Sequence, residues 1–193
     1  MAINKFKFGT KAETLHRLKP FLQESTIPEF LSFSVIDWES DAASVLQNIQ
    51  DVFSGGPVIV RSSAMAEDQG DSAQAGAFLS VPNVDSLNSD VLTTSIQDVI
   101  TSYKKYGEQD GNDPENQVLI QEMVVDVAMS GVLFTQDLSN GAPYFVINYD
   151  EETGNTDTVT SGQYNNRTLY VYRDMSDSVS SERFTNLLKA VRE

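Results

Sequence analysis

The chain contains no cysteine, which excludes disulfides and thiolate metal sites and fits a cytoplasmic location. Its single histidine, His16, leaves one candidate for a Ser-His-Asp arrangement and no histidine pair for a transition metal. No apolar run approaches the roughly 18 residues that a membrane helix needs. The start, MAINKFKFGT, has no apolar core followed by a small-residue cleavage site, so it does not read as a secretory leader. Positive charge is scarce, with 13 Lys and Arg against 28 Asp and Glu and a formal charge of −15. Such a field repels polyanions and argues against nucleic acid or an anionic membrane as partner. It leaves a small anion open, because about two or three placed cations with backbone N–H groups suffice to hold one. Neither a P-loop nor a dinucleotide-binding glycine fingerprint occurs.

What remains is an ordinary globular composition, 193 residues with 40% hydrophobic side chains, long enough for one domain or two small lobes. Thr10 with Glu13 three residues later has the spacing of a capping box, followed by Leu15, Leu18 and Leu22 at helical intervals. A helix is expected from Lys11, ended or kinked by Pro20. FLSFSVI (30–36) alternates like a strand, DAASVLQNIQDVF (41–53) has helical spacing, and PVIVRS (57–62) reads as a buried strand after Gly55-Gly56-Pro57. AFLSVPNV (77–84) reads as another strand, and a long amphipathic helix is expected from Asp85 or Ser86 to Gly107. The runs QVLIQEMVVDV (117–127), SGVLFTQDL (130–138) and PYFVINYD (143–150) predict an antiparallel meander, with RTLYVYRD (167–174) as a further strand. The last segment, SSERFTNLLKAVRE, is a capped amphipathic helix with no Gly or Pro exit, as expected for the N-terminal part of a longer protein. The organisation is thus an α/β (α+β) fold: a mixed lobe over about 1–110, mainly antiparallel strands over about 115–175, and a helix over 179–193.

Two cations stand out by position. Lys11 falls in the first turn of the first helix, where unpaired N–H groups and the helix dipole favour an anion. Arg61 ends the strand PVIVRS, directly ahead of a loop of small and acidic residues that includes Glu67, Asp68 and Asp71. Its fork of donors suits either an ion pair with Glu67 or Asp68 or a bound phosphate. The small residues that follow, Ser62, Ser63, Gly70, Ala73, Ala75 and Gly76, let backbone approach a ligand or simply form a flexible loop. His16 reads as a solvated or partly packed residue of the first helix.

VRSSAMAEDQGDSAQAG (60–76) resembles the arginine-containing signature of the N-terminal nucleotide-binding domain in the pyruvate phosphate dikinase and phosphoenolpyruvate synthase family, an ATP-grasp relative. FGTKAETL (8–15) is similar to that family's glycine-lysine helix start, and VLIQEMVVDVAMSGVLFT (118–135) to its hinge strand and Ser-Gly-Val-Phe-Thr segment. The three occur in the family's order. The resemblance implies an ATP-grasp-like mixed sheet with flanking helices, and ATP with Mg²⁺ as cofactors. It implies Lys11 and Arg61 at the ATP phosphates, Gly76 and Ser80 on a hairpin closing over the nucleotide, and Gln121 beside the adenine. It also implies partners: a swivelling phosphohistidine domain, an acceptor-binding domain and a small-molecule acceptor.

Departures accompany the likeness. The family's Mg²⁺-binding carboxylate pair and its phosphorylatable histidine have no counterpart in these residues, so this fragment is not expected to turn over alone. Gln74 stands where the family often has an aromatic, and Ala77 where it often has glutamine. VINYDEETGNTDTVTSGQ replaces the usual Gly-Leu-Gly-Glu segment. That variant resembles a branch found with surface-polysaccharide genes, which includes an L-glutamine kinase of capsule biosynthesis. The rival readings are a non-catalytic nucleotide-binding module and an interaction domain that kept the fold.

Overall fold

Helix α1 (Lys11–Leu18) begins at Thr10, whose extended backbone and hydroxyl, accepting from the Glu13 amide at 3.2 Å, form the N-cap. The reciprocal half of the expected capping box is not what Glu13 makes: its carboxylate pairs with Arg17 one turn on, at 3.0 Å. The helix stops at Leu18, and a single 3₁₀ turn over Lys19–Phe21 carries Pro20, so Leu22 lies outside it. The computed structural model describes residues 6–64, 78–103, 113, 116–154, 159 and 167–192, with backbone alone at 176–178.

The chain divides into two compact units, one of residues 1–21 with 26–123 and the other of residues 22–25 with 124–193. In the first, strand β1 (Phe30–Ser34) leads into helix α2 (Val35–Val52), and strand β2 (Pro57–Ser63) follows. The expected strand FLSFSVI is cut at Ser34, because Ser34 and Asp37 exchange side-chain and backbone hydrogen bonds in a full capping box. Helix α2 therefore starts six residues before Asp41, which bends it: Asp41 leaves helical geometry and caps Ser44 through both carboxylate oxygens. Strand β3 (Ser80–Asp85), helix α3 (Ser89–Tyr103) and strand β4 (Gln117–Glu122) complete the unit. Helix α3 begins later than its apolar spacing predicts, since Asn88 receives the Val91 amide on its side chain and the Leu92 amide on its carbonyl. Its expected end at Gly107 lies outside the described residues.

The four strands are ordered β1-β4-β2-β3, and every pairing is antiparallel. The family resemblance implied a mixed sheet, and a β1-α2-β2 succession could have set β1 and β2 side by side in parallel. Instead β4 inserts between them and runs against both, a split β-α-β unit. Residues alternate between faces. Val58, Val60, Val118 and Ile120 point to one core with helices α2 and α3, whose Trp38, Ile49, Leu92, Ile96 and Val99 cover them. On the other face α1 seats Ala12 against Phe30 and Leu119, with Leu15 beside them. Between Val58 and Val60 the β2–β3 register shifts, where Asn83 adopts φ 58°, a left-handed conformation that asparagine tolerates.

In the second unit, strands β5 (Ser130–Phe134), β6 (Tyr144–Asp150) and β7 (Arg167–Tyr172) form an antiparallel meander, and helix α4 (Glu182–Arg192) packs Phe184 and Leu188 on Phe145, Ile147 and Val171. The meander expected from residue 117 thus loses its first run, which belongs to the other sheet. Gly131 pairs with Tyr149, and a Cβ there would stand 2.3 Å from the Asn148 carbonyl oxygen. The acidic stretch after β6 is tied in place: Asp150 accepts from the Glu152 and Thr153 amides, and Glu151 pairs with both Arg167 and Arg183.

Candidate functional site

The sheet face that α1 covers also carries Arg61. In β2, Arg61 has Leu119 of β4 on one side and Ser80 of β3 on the other, and Gln121 lies two residues along β4 on the same face. The Arg61 Nη1 is 3.5 Å from Gln121 Oε1, the long limit of a hydrogen bond. Its Nε is buried without any hydrogen-bond partner. A buried donor in that state costs free energy that a ligand acceptor would recover. Glu67, Asp68 and Asp71, the alternative ion-pair partners, lie outside the described residues.

Helix α1 approaches this face at its N-terminus. A cleft of about 630 Å³ opens there, with Phe8, Leu15 and Leu119 as apolar walls and Gly9, Lys11, Thr14 and Arg61 completing it. Its size and its few polar groups on an apolar lining suit a small molecule rather than a macromolecule. Lys11 and Arg61, named from opposite ends of a 50-residue separation, meet in one cleft. Gln121 adjoins it through Arg61, and Ser80 lies on the edge strand beside Arg61. Gly76 lies outside the described residues. His16 is exposed on the far part of α1, its ring 4.5 Å from that of Phe30.

The helix amides behave differently from the sequence expectation. The Ala12 amide donates to Ser63 Oγ at 2.9 Å, and the Glu13 amide to Thr10 Oγ1, so both are already used by protein acceptors. The Thr10 hydroxyl donates in turn to Gln117 Oε1 at 2.8 Å. The Ser63 amide donates to the Tyr103 hydroxyl at 3.0 Å, and that hydroxyl donates to the Gln117 carbonyl at 2.5 Å. Helix α1 therefore brings its dipole and the Lys11 side chain to the cleft, while its second and third amides serve the fold. Sequence reasoning missed this network. Its one visible signal is Ser63, two residues beyond Arg61 and so on the same face of β2.

Among the described residues no group of three or more His, Asp or Glu side chains is placed to hold a metal ion. No helix among them is long and apolar enough to cross a membrane.

The geometry gives an α/β domain with a cleft between a helix start and an arginine-bearing strand. The match of residues 8–192 to the model of the pyruvate phosphate dikinase AMP/ATP-binding domain makes the class specific, and the chain belongs to that family. It is thus the ATP-binding portion of a dikinase-type phosphotransferase. A comparison with curated proteins finds no significant match.

Proposed function

We propose that ATP binds in this cleft with its phosphates between Lys11 and Arg61. The observation that carries the reading is the buried, unpartnered Nε of Arg61 in a cleft shared with Lys11. A guanidinium so placed offers donors in a fixed geometry to a phosphate oxygen, and it stabilises charge on the transferring group without reorganising in water. Lys11 supplies a movable second charge. Ser80, opposite Arg61 on β3, faces the nucleotide from the edge strand, the resemblance assigns Gly76 to the same contact, and Gln121 orients Arg61 and borders the adenine side. Leu15 and Leu119 give one flank of the cleft a low-dielectric wall, which strengthens the charge interactions beside it. Mg²⁺ accompanies the nucleotide and neutralises phosphate charge, with protein ligands from elsewhere in the intact protein.

In the full reading, ATP passes its β,γ-pyrophosphoryl group to a histidine on a swivelling domain with AMP as the leaving group, water then cleaves off the terminal phosphate, and the phosphohistidine that remains passes its group to a small acceptor. A covalent relay of this kind splits one difficult transfer into two easier ones. L-Glutamine is the acceptor favoured by the NYDEETGN variant, with a role in surface-polysaccharide biosynthesis. Phosphorus NMR of the full-length protein with Mg²⁺-ATP and a panel including pyruvate and L-glutamine tests this. AMP, phosphate and a new phosphorylated acceptor are expected. ATP bound but intact throughout would instead select the non-catalytic nucleotide-binding module.

A further inference from the structure

Lys11 and Arg61 sit on different elements, α1 and β2, and an anion held by both needs their separation fixed. One residue bridges the two elements. Ser63 follows Arg61 by two positions on the same strand face, is fully buried, and accepts the amide of Ala12, the residue next to Lys11. Ser63 is itself held at its amide by the Tyr103 hydroxyl, and Tyr103, 1% exposed at the end of α3, fixes the same hydroxyl on the Gln117 carbonyl. Gln117 closes the circuit by accepting from Thr10, the N-cap of α1. Three elements, β2, α3 and β4, thus converge on the first turn of α1 through buried or part-buried neutral hydrogen bonds, and each bond has a donor and an acceptor accounted for.

We propose that Ser63 and Tyr103 are positioning residues, which act on the nucleotide by fixing the first turn of α1, and with it Lys11, at a set distance from Arg61. Neither side chain lines the cleft, so neither contacts the ligand in this arrangement. The assignment rests on reading the cleft as the ATP site. It also gives a physical reason for a serine at this point of the RSSA run: an alanine would leave the buried Ala12 amide without an acceptor, and a larger residue would press into a position with no exposed surface.

The test is a double-mutant cycle on ATP affinity in the full-length protein, using Ser63→Ala, Lys11→Ala and their combination, each at a temperature where it is folded. Ser63→Ala alone is expected to weaken ATP about 5- to 10-fold, the effect of one lost hydrogen bond passed to the site. In the Lys11→Ala background the same change should add less than about 2-fold, because its route to the nucleotide is gone. An unchanged affinity, or a full loss that persists without Lys11, overturns the proposal. Hydrogen exchange of the peptide Gly9–Leu15 gives a readout independent of ATP: faster exchange at Ala12 in Ser63→Ala is expected, and unchanged exchange overturns the clamp. Failure of the unsubstituted protein to bind ATP would refute the site reading instead and leave the exchange result to decide the clamp. Should Ser63→Ala not fold, Tyr103→Phe, which keeps the buried ring and removes only the hydroxyl, runs the same cycle with the same outcomes.

Discussion

Replacing Arg61 by methionine separates the two explanations of why an arginine stands near the end of strand β2. The side chain is half-buried, its Nε has no partner, and its single described hydrogen bond is 3.5 Å long. An unsatisfied buried donor costs about 1–3 kcal/mol, and partial exposure of the guanidinium places this one at the low end, about 1 kcal/mol. Methionine keeps a stem of similar length beside Leu119 and carries no donor. Arg61→Met is therefore expected to raise the melting temperature of the nucleotide-free protein by about 2–4 °C for a chain of this size. ATP at 100 times its Kd stabilises the unsubstituted protein by about 2.7 kcal/mol, and most of that increment should vanish in the variant. Differential scanning fluorimetry with and without Mg²⁺-ATP reads both effects. A lower melting temperature in the free variant, with the ATP increment intact, would refute the reasoning. It would mean that the guanidinium is satisfied within the fold and that the ion-pair explanation is correct. A stability gain coupled to a binding loss is the signature of a residue kept for its ligand.

Other consequences follow from particular contacts. Gly131→Ala should destabilise the second unit by about 1–3 kcal/mol, since its Cβ would meet the Asn148 carbonyl at 2.3 Å and neither backbone can give way cheaply; urea denaturation followed by hydrogen exchange in β5 and β6 checks this. Ser34→Ala should cost about 1 kcal/mol by removing the N-cap of α2, measured by chemical denaturation. The same cap makes α2 acid-sensitive. Bonds from the Ser34 hydroxyl and amide hold the Asp37 carboxyl below the ordinary aspartate value, so its stabilisation is complete above that ordinary value and is lost as pH falls through the lower folded one. Asp37→Asn should accordingly be less stable than the unsubstituted protein at pH 7, with the difference closing as the pH falls through the lowered folded-state value in circular-dichroism melts.

The two cations that line the cleft were legible because they occupy positions that announce themselves. Thr10 and Glu13 mark a helix start and so place Lys11 in its first turn, and the apolar run before Arg61 marks a buried strand. That these two positions share a cleft required the order of the sheet, which local pattern does not carry. Strand β4 illustrates why. Its apolar run is continuous with that of the following segment, yet it separates β1 from β2 while the next strands build another sheet. The run QVLIQE is buried on both faces, and such a strand gives no alternation from which to read its neighbours. Caps were misjudged where a short polar side chain competes with apolar spacing: Ser34 ends β1 before the apolar pair Val35-Ile36, and Asn88 delays α3 beyond Leu87. The network of Thr10, Ser63, Tyr103 and Gln117 was invisible for a related reason, since its members are common polar residues far apart in the chain and acquire meaning only through mutual burial.

The most direct test of the central claim is calorimetric titration of Mg²⁺-ATP into the full-length protein and its Lys11→Ala and Arg61→Ala variants. Saturable binding to the unsubstituted protein, weakened about 10-fold or more by either substitution while circular dichroism stays unchanged, is the result the cleft requires. Equal ATP affinity in all three proteins would contradict it and move the phosphates away from Lys11 and Arg61.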